Sequence, residues 1–262
     1  MGRRLLAAVL TLPLLAVLVG LWWWTAARST SPYYPSLDKV WHSFATLWLP
    51  GPGSLLKSDF VPSVVNLLAG WGLAIVVGIA AGVLIGMSDV LWTALRPGIE
   101  LARATPMIVI FPIIFVIFGF SDWGQRWIIL IASLWPILLN TIEGVRSVDP
   151  VVRDVARSYR LNRPDRVLFV MIPAALPQIM TGLRVAAGHA VVVMVASEYF
   201  ASTRGVGFQV HLAMQSFDSP ATYATTVLLG LIGYVLSLAV RALEHLVLGW
   251  HIRMRDTARA RA

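Results

Sequence analysis

Six apolar runs, at about 5–27, 61–87, 104–119, 127–141, 178–200 and 221–248, set the terms on which this chain can fold. A helix needs about 20 apolar residues to cross a bilayer, and the longer runs supply them. Of the 262 residues, 58% are hydrophobic and 13% charged, more apolar surface than a soluble domain of this length hides. Within lipid a backbone must satisfy its own hydrogen bonds, so the runs predict an all-α, polytopic membrane protein of about six transmembrane helices.

Each run has its own character. The first follows Arg3 and Arg4 and closes on Trp22, Trp23 and Trp24. It exceeds a signal-peptide core, and tryptophans suit a membrane interface, so a retained span is expected. Residues 28–60 are more polar, with an amphipathic helix predicted over 36–48. The second run carries Gly70, Gly72, Gly78, Gly82 and Gly86, an invitation to close helix packing. A hydrophilic link over 88–103 leads to the third run, with Pro106 and Pro112, and then the fourth, with Pro136. Prolines inside spans free backbone carbonyls, which points both helices toward protein or a polar cavity.

The interruption at 143–177 is different in kind. Six arginines (Arg146, Arg153, Arg157, Arg160, Arg163 and Arg166) sit there between two apolar runs. On a helical projection Val151, Val152, Val155, Ala156 and Tyr159 share one face, while Arg153, Arg157 and Arg160 share the other. Asn162, Pro164 and Asp165 then mark a turn and a second helix start. The pattern predicts a helix–turn–helix built to dock on a partner; a solvated loop that only fixes topology is the alternative. With the N terminus inside, fifteen basic residues fall on the inner side, counting Arg241 in the inner half of the last run, five fall in outer segments and Arg184 lies within the fifth run, which predicts both termini and the arginine-rich pair in the cytoplasm. The net charge of +8 is spread between spans and over the termini, so no nucleic-acid partner is expected.

Catalytic constellations are missing. Lys39 and Lys57 are the only lysines and neither closes a glycine-rich phosphate loop. Leu212 and Leu246 follow His211 and His245, which rules out H-E-x-x-H, and no G-x-S-x-G occurs. The absence of cysteine removes thiolate chemistry. Neither enzyme activity nor a metal site is expected of the chain by itself. In the fifth run Arg184 is expected to snorkel, His189 to be a packed histidine, and Glu198 to face the bundle interior, where it pairs, gates or holds a helix end.

Residues 154–175 resemble the cytoplasmic loop of permease subunits from binding-protein-dependent bacterial ABC importers. That loop opens on Glu-Ala-Ala, places a glycine four residues later and ends in Pro-x-x-x-Pro. Asp154, Val155 and Ala156 stand for the triplet, Arg160 takes the glycine's place, and Pro173 and Pro177 close the loop. The turn is then expected to use Asn162 as its left-handed residue. Leu139-Asn140-Thr141, Gly144-Val145-Arg146, Val148-Asp149-Pro150, Gly182-Leu183-Arg184, Ser197-Glu198 and Gly205-Val206-Gly207 resemble the nitrate, taurine and alkanesulfonate branch, and Thr105-Pro106 resembles the start of the family's central core.

The resemblance implies a type I ABC importer permease fold with a cytoplasmic coupling helix pair, 150–160 and 164–172. Its ATPase-coupling residues would be Val151, Asp154, Val155, Ala156, Arg157, Ser158, Tyr159, Arg160, Asn162, Arg163 and Pro164. A second permease copy, as a homodimer, two cytoplasmic ATPase subunits holding ATP and Mg, and an extracytoplasmic solute-binding protein are the implied partners in the bacterial inner membrane. No cofactor is expected on this chain. The implied division is an anchor and extracytoplasmic segment over 1–60, a permease core over 61–250 and a basic tail over 251–262. The solute would be a sulfonate, nitrate, taurine or a related small molecule. Polarity, bulk and the inward-leaning prolines nominate Met107, Phe111, Trp135, Asn140, Thr181, Met194 and Glu198 as pathway residues. Rival readings are the transmembrane coupling subunit of a vitamin importer, a membrane-embedded lipid enzyme and a channel.

Overall fold

The computed structural model describes the backbone of residues 2–259 and the side chains of residues 13, 14, 16–156, 158–162 and 164–249. Every regular element among them is helical: α1 (Gly2–Arg28), α2 (Leu37–Trp48), α3 (Val61–Gly86), α4 (Asp89–Ala104), α5 (Met107–Phe118), α6 (Asp122–Arg146), α7 (Pro150–Ser158), α8 (Arg163–Arg166), α9 (Ile172–Ala201), α10 (Val206–Gln215) and α11 (Ser219–Arg259). Single π-helical turns, Leu56–Phe60 and Val167–Met171, lead without a break into α3 and α9.

The centre of the bundle is α6, whose Ile128, Ile129, Ile137, Ile142 and Val145 are fully buried. Its closest neighbour is α3, and the glycines explain why. A Cβ on Gly82 would stand 2.6 Å from Thr141 Cβ, and those on Gly70, Gly78 and Gly86 would stand 2.8–2.9 Å from Ile129, Ile137 and Val145. Lipid tails are as apolar as leucine, so water release does not drive this contact; dispersion across a close seam does. On the far side of α6, Gly182 of α9 approaches the Pro136 carbonyl, where a Cβ would lie 2.8 Å away. Outward faces are apolar throughout: Val76 and Leu84 on α3, Ile113 and Val116 on α5, and Val235 and Leu246 on α11 are exposed, as lipid-facing positions should be.

Among the described residues four helical stretches are long and apolar enough to cross a membrane: Leu56–Gly86, Asp122–Arg146, Pro164–Ala201 and Ser219–Gly249. The third apolar run behaves differently from the sequence expectation. Its 12-residue helix α5 is joined to α4 through Thr105 and Pro106 with a 97° bend, so the pair is at most one broken span. The stretch read as a hydrophilic link is itself helical, started by the Ser88 hydroxyl accepting from the Leu91 amide at 3.3 Å. Its polar face hid it among loops. The expected anchor is helical from Gly2 to Arg28, and its described side chains Leu14, Val17, Leu18, Trp23 and Trp24 are exposed. Much of the run's amino-terminal half, and the tail 251–262, lie outside the residues whose side chains are described.

Outside the bundle, α2 is the amphipathic helix expected over 36–48. Its buried Trp48 donates its indole N–H to Thr225 Oγ1 at 3.3 Å, tying it to α11. Arg184 does not snorkel freely; it pairs with Glu244 of α11. The expected pair of docking helices is also revised. Only α7 is separate, whereas the second member is the first turns of the α8–α9 rod, which runs from Pro164 to Ala201.

Candidate functional site

Helix α7 projects between two spans with its apolar face uncovered. Asp149 Oδ1 accepts from the Val151 amide at 2.8 Å and starts it. Val151, Val155 and Tyr159 are 67%, 50% and 78% exposed, whereas Ala156 is only 4% exposed and turns inward. This apolar stripe lies outside the spans and is left uncovered by the rest of the subunit, and exposed patches of this type mark interaction surfaces. Leu168 and Phe169, on the π turn against which α7 rests, extend the same exposed apolar surface. Asp154 is exposed, and Ser158 Oγ donates to its carbonyl at 3.0 Å. The side chains of Arg157 and Arg163 lie outside the described residues.

The end of α7 shows how Arg160 replaces glycine. The Leu161 amide donates to the Ala156 carbonyl at 3.3 Å, and Arg160 between them has φ 53°. This is the backbone of a Schellman stop, with an arginine in the left-handed position that glycine usually fills. The expectation that Asn162 would adopt that conformation is therefore corrected. Asn162 instead caps α8, its Oδ1 accepting from the Asp165 amide at 2.8 Å. Arg153 does not extend a cationic rim either. Its guanidinium folds back to donate to the carbonyls of Arg146 and Val148 at 2.7–2.9 Å, satisfying the orphan carboxyl end of α6.

A cavity of about 780 Å3 opens where α4, α5, α6 and α9 meet. Met107, Trp135 and Asn140 line it, together with Arg103, Thr105, Pro106, Pro136 and His189. Pro136 has no amide hydrogen to offer the Ala132 carbonyl one turn earlier, and both residues belong to this wall. Asn140 Nδ2 donates to the Pro136 carbonyl at 2.8 Å, while its Oδ1 accepts from Gln178 at 3.0 Å. At the rim Arg103 pairs with Glu100 at 2.6 Å. The remaining nominated pathway residues lie elsewhere. Phe111 and Met194 are packed in the protein core, Thr181 bonds its own helix through the Pro177 carbonyl, and Glu198 is buried beneath α10. His189, read as a packed histidine, is exposed on the cavity wall. Its signal was the four-residue step from Val185 to His189, which shares a helix face.

Glu198 holds a helix end. Its Oε2 accepts from the Gly207 amide at 2.8 Å in the first turn of α10. Asp59 Oδ1 accepts from the Gly205 amide and from Gln209, each at 2.9 Å, and Ser63 Oγ accepts from the Val206 amide at 2.9 Å. Three successive amides thus meet three side-chain oxygens, a favourable field for carboxylates at a helix N terminus. Gly205 has φ 114°, and a Cβ there would lie 2.5 Å from the Glu198 carboxyl carbon. Nearby, Arg204 pairs with Asp122 at 2.6 Å, and that bond raises the guanidinium pKa further. Gln125, Asn66, Arg126 and Ser202 complete the network at this end.

Comparisons with known proteins bear on these surfaces. Residues 74–248 match the family described as "Binding-protein-dependent transport system inner membrane component". The taurine transport system permease protein TauC of Escherichia coli (strain K12) is 30% identical, covering 92% of this chain and 90% of its own. The nitrate import permease protein NrtB of Leptolyngbya laminosa is 29% identical over 91% of this chain and 87% of its own. Among solved structures, an inward-facing conformation of the MetNI methionine ABC transporter shares the fold with a TM-score of 0.63, 15% identity, and coverage of 74% of this chain and 96% of its own.

Proposed function

The chain belongs to the inner membrane components of binding-protein-dependent transport systems, the permease subunits of ABC importers, and from that premise we propose that α7 is the surface through which a cytoplasmic ATPase drives it. Subunits of this family are non-catalytic and work with ATPase and binding-protein partners. The observation that carries the proposal is the uncovered stripe of Val151, Val155 and Tyr159 on a helix lying outside every span. Two copies of the chain would face each other across the 780 Å3 cavity, making one path from two half-walls. Two ATPase subunits, carrying the ATP and Mg, would each receive one α7. Both termini would lie in the cytoplasm, where the arginine bias puts them.

Mechanically the proposal needs two membrane states, each favoured by a different nucleotide state of the ATPases. Closure of the ATPases would draw the two α7 helices together, and the continuous α8–α9 rod would carry that motion to the cavity wall at Val185, His189 and Val193. The solute would be a small anion or zwitterion of the sulfonate, taurine or nitrate kind. Support comes from what the relatives are named for and from the polar groups of the chamber wall, Asn140, His189, Thr105 and the Arg103–Glu100 pair.

The test is a pair of substitutions on the exposed side of α7. Val155→Asp and Asp154→Lys should cut solute-stimulated ATPase activity in proteoliposomes by about tenfold or more, because burying a new or reversed charge in an interface costs several kcal/mol. Membrane insertion and folding should be unchanged, since both positions are exposed. Ala156→Asp is a poorer probe, because Ala156 is already buried within the subunit. Full ATPase binding and uptake in both variants would overturn the assignment.

A further inference from the structure

A second, smaller pocket of about 290 Å3 lies at the same end of the bundle as α7 but on its inner side, lined by Gly86, Asp89, Arg146, Arg153, Arg166 and Met171. Among the described residues three guanidiniums and one carboxylate line it. Arg146 pairs with Asp89 at 2.7 Å, and Arg153 spends its N–H groups on the end of α6. Arg166 is the exception: one of its Nη groups reaches the Leu161 carbonyl at 3.3 Å, but its Nε is buried with no hydrogen-bond partner among the described residues. Buried donors on charged groups are normally satisfied, and leaving one unpaired is costly. The pocket is thus lined by net positive charge, includes an arginine whose Nε is left without a partner, and carries its one carboxylate, Asp89, at an 87% exposed position.

We propose that this pocket binds a phosphate group, with Arg166 as its principal donor and Arg146 and Arg153 supplying field. A phosphate brings anionic acceptor oxygens and matches the planar fork of a guanidinium. Two sources have that chemistry at the edge of a bilayer: the headgroup of an anionic phospholipid, for which basic pockets between spans on the cytoplasmic side are suited, and free inorganic phosphate. Because Arg166 ends α8, directly after the turn that follows α7, occupancy would stiffen the segment that meets the ATPase. The placement at the cytoplasmic side rests on the proposed orientation; the binding itself does not.

The experiment uses the full chain. In nanodiscs of equal parts phosphatidylglycerol and phosphatidylcholine, native mass spectrometry should find phosphatidylglycerol retained by the wild type. Retention should fall about tenfold in Arg166→Gln, the loss of one charge-assisted bond, and recover in part in Arg166→Lys. Asp89→Asn, at an exposed position, should move retention upward, so the proposal stays testable if Arg166→Gln does not fold. Arg96→Gln, outside the pocket, should change nothing. In lipid-free detergent, inorganic phosphate should raise the thermal midpoint of the wild type above an equal ionic strength of chloride, and not that of Arg166→Gln. Lipid retention without a phosphate shift identifies the headgroup as the source; the reverse identifies free phosphate. Equal retention and equal shifts in wild type, Arg166→Gln and Asp89→Asn would overturn the proposal. So would loss of ATPase co-purification in Arg166→Gln with lipid and phosphate binding intact, which would give the pocket to an acidic side chain of the ATPase. That outcome differs from failure of the α7 assignment, which Val155→Asp reports separately.

Discussion

Arg160 carries a backbone conformation that costs an L-residue about 1–2 kcal/mol, held at φ 53° by the Schellman bond from Leu161 to Ala156. Arg160→Gly should therefore stabilise the turn by about 1 kcal/mol, read as a rise in thermal midpoint; a fall would mean that the arginine side chain holds the turn. Gly205 makes the opposite case. At φ 114° and ψ 166° it occupies a region essentially closed to other residues, and its missing Cβ leaves room for the Glu198 carboxylate. Gly205→Ala should cost about 2 kcal/mol or more from strain and overpacking together, measurable as a lowered thermal midpoint in detergent. Glycine was expected in the turn after α7 and is absent, while the glycine that matters most sits beside a buried acid. The sequence motif marked both positions, but only the dihedrals say which residue bears the strain.

At the scale of elements, the α3–α6 seam is the contact most sensitive to added volume. Gly82→Val would place two methyl groups where Thr141 already stands 2.6 Å from a single Cβ, so a loss of about 1–3 kcal/mol is expected, enough to lower the yield of folded protein in detergent. Gly72→Val is the matched control, since nothing lies within 4 Å of a Cβ at Gly72. The glycines announced this packing in sequence, and so did the amphipathic pattern of α2, because periodicity and residue size are local properties. The bend at Thr105 and Pro106 was legible only as a proline near an apolar run. That α4 is helical was not, because its surface is polar enough to read as a link. Arg153 looked like a docking charge since a helical projection ignores the preceding helix, whose unpaired carbonyls claim it.

For the whole molecule, the absence of cysteine turns the proposed pairing of two copies into a direct measurement. In Met107→Cys, at the cavity wall, a short bifunctional thiol reagent should link two copies into a dimer in the membrane. Val76→Cys, exposed on the outer face of α3, should not. Cross-linking at Val76 alone would reverse the proposed arrangement. Fold class followed from composition because a bilayer accepts so few architectures. The cavity did not follow: Met107 comes from α5 and Trp135 and Asn140 from α6, and only the bend beside α5 brings the first against the others.

The π turn at Val167–Met171 holds one residue more than the α-helix on either side of it. Each residue of an α-helix advances the azimuth by about 100°, so this surplus sets the angular phase between Arg166 at one end of the rod and His189 further along. Annealing the turn into a regular spiral with every residue kept would leave composition and hydropathy untouched. It would nevertheless swivel the driven end by more than a quarter revolution relative to the chamber, as a gear mounted on the wrong spline still spins but no longer meshes.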